Sequence, residues 1–555
     1  MKWLKSSKRR AAAAAAALLL IGTGVLLTLN RQQVFIGVLK DDSGLAMVRE
    51  GKPDEIQKEK SRRETLYVAV TDAQGVVNPA YASGDGDQLI SSVIFEGLMR
   101  RDADGGLTEV LAKGCSFSED GTECQIQLKP GVKFSDGTEL TAQDVAFSLG
   151  AMCLTAEDGA SSPYLRIQGA GEFRQGITQL PAGIQVTDQH SLKVVFDEPS
   201  PDNQNLLLCR IQKQPESLEG GMALVLPQLS MGGTGTGAYV MTQGREGGSI
   251  RLEASGNYRH KTGDIKAVEF VIYGSYNVAE AIQKGDVDVA CFYGNSGMFD
   301  PFYEGKQFHI YEQPLDSVQY LAVNRDSVLF QNASARKAAA LAIDRSQITE
   351  GPLSRYLMGA SALAWETGDY AGDNPVVFDL KKSKELLGQA ENETGVTDAK
   401  VKLPVLKGSE IQEELLSEIG KDLEKAGFSV EIDVLGQSEY LQQVYMLEDY
   451  DLLLSSSGQW QLPSSYSRLV DDNQGLTVSS LEPEVRDAVN QLETAYTQKE
   501  LEKAFRHAGT ILNQQLPVIP VARQKRFVAV SSDLKHYKMN QYDTFIRNIW
   551  EIQVK

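Results

Sequence analysis

The 555-residue sequence is poor in the patterns that mark enzymes. It contains five histidines and five cysteines. No two histidines have the HExxH spacing of a zinc protease, and no two cysteines have the spacing of a zinc site. The GxSxG motif that presents a serine nucleophile is also missing. These absences weigh against an exported hydrolase, and we expect no catalytic residue, no metal and no cofactor.

Basic residues are fewer than acidic residues, and the formal net charge is −19. Phosphate backbones bind basic surfaces, so the charge argues against a nucleic-acid partner. With 555 residues the chain is longer than a domain built on a single hydrophobic core usually is, and we expect two or three domains.

Only one run of the sequence is long and apolar enough to span a bilayer. Ala11–Leu29 comprises nineteen residues without a charge, and five Lys or Arg residues precede it within residues 1–10. The basic flank predicts a cytoplasmic tail at 1–10, a transmembrane anchor at 11–29 and everything after it outside the cell. No small-x-small cleavage site follows, so we favour a retained anchor, with a cleaved signal peptide as the alternative.

The residues after this run divide into a polar segment and a mixed body. Residues 30–64 combine charges of both signs with few apolar residues, which predicts a flexible stalk. From Thr65 onward, alternating stretches such as TLYVAV indicate strands, and stretches such as IQEELLSEIGKDLEKAG have helical spacing. The pattern predicts an α/β body.

Five cysteines in an exported chain allow two disulfides and one free thiol. Cys115 and Cys124 bracket a hairpin turn at Asp120-Gly121, and Cys153 and Cys209 are candidates for a second bridge. Cys291 is expected to be a buried thiol. The alternative is five reduced cysteines in the core.

The stretch GVKFSDGTELTAQDVAFSLGAM at 131–152 predicts a strand, a tight turn and a helix. Val132 and Phe134 face one side, and Asp136-Gly137 is a typical turn pair. Thr141 is the expected N-cap, with Asp144 placed to bond back to it.

This stretch and its surroundings resemble the family 5 extracellular solute-binding proteins of peptide, nickel-chelate and related ABC importers. The family pattern is matched by LTEVLAKGCSFSEDGTECQIQLKPGVKFSDG at 107–137. Further matches in the same order are FEGLMRRD, TGTGAYVM, IQKGDVDVA, VNRDSVLFQNASARKAAALAIDRSQI and LPVIPV. The resemblance extends from Thr65 to the C-terminus. It departs from the family at Cys115–Phe117, where a tryptophan is usual, and at Lys129, where an arginine is usual.

The resemblance implies a fold and a domain division. The fold is a two-lobed, periplasmic-binding-protein-like α/β structure of type II, cluster C, with an extra subdomain inserted in the first lobe. Lobe I would comprise 65–94, 226–320 and 513–555. The inserted subdomain would comprise 95–225, and lobe II would comprise 321–512.

The resemblance also implies where a ligand would bind. In peptide-binding members, an aspartate shortly after a GW pair contacts the ligand's α-ammonium. The corresponding segment here is SSSGQWQLPSSY at 455–466, where Trp460 matches the aromatic residue but no acid follows. Ordinary peptide binding through that anchor is therefore in doubt. Asp85, next to Ser83 on the loop after the first strand, would substitute for the acid unless it is only a solvated turn residue.

Four further residues complete the expected ligand-binding set. Tyr320 and Asn324 flank the expected hinge strand, and Gln459 and Ser457 would donate to a ligand carbonyl. The implied function is capture of a peptide-like or other small polar solute by a monomer that docks on a membrane ABC permease. The alternative is a membrane-anchored ligand sensor of the same fold.

If Trp460 supplies an apolar or cation-stacking face to the ligand, Trp460→Ala will lower ligand affinity without altering the fold. Calorimetric titration of the two proteins, with circular dichroism as the folding control, measures both effects. Unchanged binding would remove Trp460 from the site.

Overall fold

The computed structural model describes most of the body of the chain. The described residues are 45–52, 64–102, 106–157, 162–246, 248–273, 277–294, 297–324, 326–363, 372–458, 463–470, 483–540, 542 and 548–555. Ala11–Leu29, Gln459 and Trp460 lie outside these ranges. Among the described residues, no helix combines the length and the hydrophobicity needed to cross a membrane.

Strands and helices alternate along the described chain. The strands are β1 (Ala46–Arg49), β2 (Thr65–Val70), β3 (Met99–Arg101), β4 (Leu107–Glu109), β5 (Ala112–Phe117), β6 (Glu123–Leu128), β7 (Ile184–Asp188), β8 (Ser191–Val195), β9 (Tyr239–Glu246), β10 (Ser249–Ala254), β11 (Ala267–Ile272), β12 (Val289–Tyr293), β13 (Phe308–Val323), β14 (Leu357–Gly359), β15 (Lys400–Leu406), β16 (Ser429–Leu435), β17 (Leu452–Ser457), β18 (Val518–Ser531), β19 (Leu534–Lys535) and β20 (Gln553–Val554).

The α-helices are mostly short and polar on one face. They are α1 (Asp85–Ile94), α2 (Ala142–Thr155), α3 (Ala170–Arg174), α4 (Met222–Val225), α5 (Val278–Gln283), α6 (Phe299–Glu304), α7 (Ala333–Ala342), α8 (Arg345–Glu350), α9 (Leu380–Thr394), α10 (Glu410–Ala426), α11 (Gln437–Leu441), α12 (Pro463–Val470), α13 (Pro483–Glu493) and α14 (Gln498–Gln515). Short 3-10 helices include Pro201–Leu208 and Pro352–Arg355.

A ten-stranded mixed sheet runs through the molecule in the order β1-β13-β18-β12-β2-β11-β10-β9, with β17 also paired to β13 and β14 to β18. The strands β13 and β18 are the longest, with 16 and 14 residues. Their first and second halves therefore have different neighbours. One end of the pair lies beside β1 and β12, and the other end lies beside β14 and β17.

The register between β13 and β18 changes where the neighbours change. Pro314 lies opposite Lys525, whereas Val318 lies opposite Arg523. Three residues of β13, 315–317, thus face the single residue Gln524 of β18. Extra residues of this kind bend a strand and increase its twist, so the sheet changes direction at this point.

The buried apolar side chains form three main cores. The first core packs α1 against β2 and β10–β12 and includes Leu66, Val68 and Phe270. The insert core lies between 98 and 229 around the antiparallel sheet β5-β6-β8-β7. The second core lies between 318 and 522 and includes the parallel pair β15-β16. We refer to the residues packed on these cores as the first body, the insert and the second body.

The turn and the capped helix predicted for 131–152 are confirmed, whereas the predicted strand is reduced to a single bridge between Lys133 and Glu139. Gly137 has φ 88° at the turn, and the amide of Thr138 donates to Asp136 Oδ1 at 2.9 Å. Thr141 is the N-cap of α2, and its backbone N–H donates to Asp144 Oδ2 at 2.9 Å. The unit belongs to the insert, where Val132 and Phe134 are buried.

The two expected disulfides are absent, because all five cysteines are free thiols. The hairpin register places Cys115 opposite Ile126 and Cys124 opposite Phe117, so the first pair is diagonal. Diagonal neighbours across an antiparallel ladder lie farther apart than a disulfide allows. In the second candidate pair, the thiol of Cys153 instead donates to Tyr164 O at 3.1 Å. Burial raises the pKa of Cys115, Cys153 and Cys209 to about 12, which leaves these thiols protonated and unreactive.

Candidate functional site

One edge of the first body collects the ends of parallel strands. The strand β2 runs parallel to both β11 and β12, so β2 and β12 end at the same edge of the sheet. The first residues of α1 lie at that edge too, close to Asp72. A Cβ on Gly84 would lie 3.1 Å from Asp72 Oδ2, and one on Gly86 would lie 1.9 Å from Asp72 O. In open α/β sheets, this edge is where ligands bind.

Asp85 is fixed at this edge by a tyrosine from β12. The hydroxyl of Tyr293 donates to Asp85 Oδ2 at 3.1 Å, and both side chains are exposed. Partial burial, followed by the charge of Asp85, raises the pKa of Tyr293, which stays a neutral donor. Asp72, Asp85, Tyr293 and Arg526 line a small cavity of about 60 Å³.

A larger groove continues from Tyr293 toward the second body. Its volume is about 660 Å³, which lies within the range of small-molecule sites. The first body contributes Tyr293 and Gly294 to the groove, and the second body contributes Gly408–Gln412 at the start of α10. The floor is formed by β13, β14 and β18, with Gln319, Tyr356, Leu357, Gln524 and Lys525.

The two cations of β18 beside this groove are held by partners on β13. Lys525 is only 4% exposed, and its Nζ forms an ion pair with Glu312 at 2.5 Å. The Nε of Arg526 donates to Gln313 Oε1 at 2.5 Å. Because buried charges require partners, both cations are fixed in place, Lys525 in the floor of the groove and Arg526 in the wall of the small cavity.

Arg355 of the second body contacts the first body at the end of the groove. Its Nε donates to Gly294 O at 2.5 Å, and its Nη1 lies 3.1 Å from Asp300 Oδ1. Its guanidinium lies 4.1 Å from the centroid of the Phe299 ring. A Cβ on Gly294 would lie 1.9 Å from Arg355 O, so only glycine fits there.

The insert also contacts the second body. The backbone N–H of Ser464, in the first turn of α12, donates to Asp202 Oδ2 at 3.3 Å. Asp202 is 2% exposed, and burial raises the pKa of its carboxyl group. Close by, Gln204 donates to Tyr496 O at 3.5 Å. The start of α12 lies within the 455–466 segment that the sequence assigns to ligand binding.

The predicted ligand residues fall on different parts of this arrangement. Ser83 and Asp85 are exposed at the edge of the first body. Tyr320 is half-buried on β13, opposite Ser455 of β17, and Ser457 at the end of β17 lies opposite Val318. Asp85 is thus connected to the groove by its hydrogen bond to Tyr293, which lines the groove. Tyr320 and Ser457 lie on the strands of the second body.

The side-chain amide of Asn324 forms hydrogen bonds within the fold. It is 5% exposed, and its Nδ2 donates to Glu448 O at 2.7 Å and to Tyr450 O at 2.6 Å. Its Oδ1 accepts from the amide of Asp326 at 2.9 Å. Both amide hydrogens are thus used to hold the connection that leads into β17.

Sequence reasoning missed Tyr293, Arg355, Lys525 and Gln319. A signal existed for one of them, because QKR interrupts the apolar strand text VIPVARQKRFVAV, and charges inside a buried strand require partners. Tyr293 follows the apolar run VDVACF, which the sequence analysis did not connect with a site. Within the described ranges, no group of three or more His, Cys, Asp or Glu residues is arranged to hold a metal ion.

Two bodies joined by a shared pair of strands, with a groove between them, are typical of two-lobed solute-binding proteins. The model of the family "Bacterial extracellular solute-binding proteins, family 5 Middle" matches residues 106–475. The chain belongs to this family, as its motifs predicted. Proteins of this family are substrate receptors and not enzymes, and the same holds for this chain.

Known proteins resemble the chain along most of its length. The oligopeptide-binding protein OppA of Bacillus subtilis is 24% identical over 489 residues, which cover 85% of this chain and 89% of OppA. The unliganded open form of the murein tripeptide-binding protein MppA superposes with a TM-score of 0.74 at 21% identity, over 89% of this chain and 97% of MppA. The complex of NikA from Brucella suis with Fe(III)-EDTA gives a TM-score of 0.65 at 17% identity, over 88% of this chain and 100% of NikA. These structures establish the shared fold.

Replacing Asn324 by alanine should destabilise the protein by about 2–3 kcal/mol, because the buried carbonyl of Tyr450 and the partly buried carbonyl of Glu448 lose this donor. Chemical denaturation measures the change. The matched control is the exposed Asn392, whose replacement by alanine should change stability by less than about 0.5 kcal/mol. Normal stability of Asn324→Ala with weakened ligand binding would instead place Asn324 in the ligand site.

Proposed function

We propose that the protein is the extracytoplasmic receptor of an ABC importer and captures a peptide-like solute in the groove between its two bodies. The observation that carries this proposal is the groove itself, which is lined from both bodies and floored by the strands that join them. Relatives named for oligopeptide and murein-peptide binding support the peptide-like class.

Capture would proceed by a change in the angle between the bodies. The extra residues 315–317 of β13 mark the flexible point, since the strand pairs there have a shifted register. We propose the lobes as 65–94 with 226–320 and 513–555, the insert as 95–225 and lobe II as 321–512. A ligand that contacts both bodies binds the closed arrangement better and shifts the equilibrium toward it.

Asp85 is proposed to contact the ligand's α-ammonium. The segment after Trp460 lacks the aspartate that peptide-binding family members use, and Asp85 carries a carboxylate at the opposite wall. Asp72 adds a second acid within the same small cavity, while Arg526 is already bonded to Gln313. The cavity accommodates an ammonium group, with the rest of the solute in the larger groove.

The N-terminal segment is proposed to tether the receptor to the membrane. Ala11–Leu29 would be the anchor and 30–64 the stalk, with the body outside the cell. A tether is unusual for a receptor that moves between free and docked states, and this favours the sensor as the second candidate. Uptake of a labelled tripeptide by cells with and without the gene separates the two, because only a transport receptor is required for uptake.

The solute class is tested by native mass spectrometry of protein purified from its host. We expect a co-purified adduct with the mass of a short peptide or peptide derivative. Release of this adduct chemically unchanged is expected as well, and conversion of it by the protein would contradict a receptor role.

Asp85→Asn should weaken binding of a tripeptide with a free α-ammonium by tenfold or more, because the cation loses its counter-charge. Binding of the N-acetylated peptide should be unaffected by the substitution. Isothermal titration of both peptides gives the comparison, with the exposed Asp398→Asn of the second body as the matched control. Equal losses for both peptides, or no loss for either, would remove Asp85 as the ammonium contact.

A further inference from the structure

Gln319 is a buried polar residue on the floor of the groove. It lies on β13 opposite Ala522 of β18, directly after the register shift. Only 4% of the residue is exposed, and it lines the groove together with Lys525 and Gln524. Its Oε1 is buried and has no hydrogen-bond partner. Buried amide oxygens are nearly always bonded, so this one requires an explanation.

A second buried glutamine on the same strand, Gln313, has a side-chain amide whose hydrogen bonds are made within the protein. Gln313 is 2% exposed, its Oε1 accepts from Arg526 at 2.5 Å, and its Nε2 donates to Asn540 O at 2.8 Å. The two glutamines are both buried and share β13, yet only Gln313 is bonded on both sides of its amide.

The cations closest to Gln319 along β18 bond to groups other than Gln319. Lys525 pairs with Glu312, Arg526 donates to Gln313, and Arg523 donates to Leu363 O at 2.9 Å. No donor of the described floor therefore reaches Gln319 Oε1.

We propose that Gln319 is a specificity-determining residue that recognises an amide group of the bound solute. A carboxamide presents an acceptor and a donor side by side, and its best complement is another amide. A peptide N–H would donate to Gln319 Oε1, and the peptide carbonyl would accept from Nε2. The inference rests on the proposed function, and it identifies the ligand as one with a backbone amide in the middle of the groove.

The test compares Gln319→Met with Gln313→Met, since methionine keeps the length of the side chain and removes its hydrogen bonds. Without ligand, Gln319→Met should unfold at the same temperature as wild type or higher, because an unpaired amide is replaced by an apolar group. Gln313→Met should unfold several degrees lower, because two hydrogen bonds are lost. Thermal denaturation distinguishes a binding role of Gln319 from a structural one.

Binding is measured with a tryptic digest of casein as the peptide pool. The peptide that wild type retains most tightly is identified by mass spectrometry and resynthesised with each backbone amide replaced in turn by an ester. For one bond, the ester should bind wild type about tenfold more weakly than the amide, and Gln319→Met should bind both forms equally. This pattern assigns that N–H to Gln319.

Three other results would contradict either the role of Gln319 or the receptor function. If wild type binds peptides and Gln319→Met binds them equally well, the role of Gln319 is wrong and the receptor function stands. If every ester weakens binding to wild type and Gln319→Met in the same ratio, the contact is made elsewhere. If wild type retains no peptide from the pool, the proposed function fails and this inference with it.

Discussion

The pairing of β13 with β18 is the constraint on which the rest of the molecule depends. The two strands are shared by both bodies, so they hold the first and second cores together and form the floor of the groove. Their backbone hydrogen bonds hold the bodies side by side, and the extra residues 315–317 bend β13 between the two. In the proposed receptor function, closure on a solute would turn about this bend.

The local elements of the fold could be predicted from the sequence because their causes are local. The turn at Asp136-Gly137 and the capping box of Thr141 and Asp144 depend on neighbouring residues only, and both occur as expected. The alternation of strand and helix patterns predicted the α/β class. The disulfide prediction was wrong because sequence spacing does not define strand register, and a two-residue offset separated Cys115 from Cys124.

The site was less predictable, because its contacts join residues far apart in the chain. Asp85 and Tyr293 are 208 positions apart, and Arg355 reaches Gly294 across 61 positions. Asn324 looked like a ligand contact because it stands at the end of a hinge strand, and only the carbonyls of the facing loop show that its amide is occupied. Whether a polar side chain serves the fold or a ligand depends on which partners it already has, and a sequence does not contain that information.

The bonded charges on β18 also determine how this sheet can assemble. In the observed alignment, Lys525 meets Glu312 and Arg526 meets Gln313. Sliding β18 by one position along β13 would exchange the faces of Lys525 and Arg526 and separate both buried cations from these partners. Misaligned sheets are therefore strongly penalised during folding. Lys525 in the floor of the groove and its neighbour Arg526 thus also favour the one strand alignment in which the groove exists.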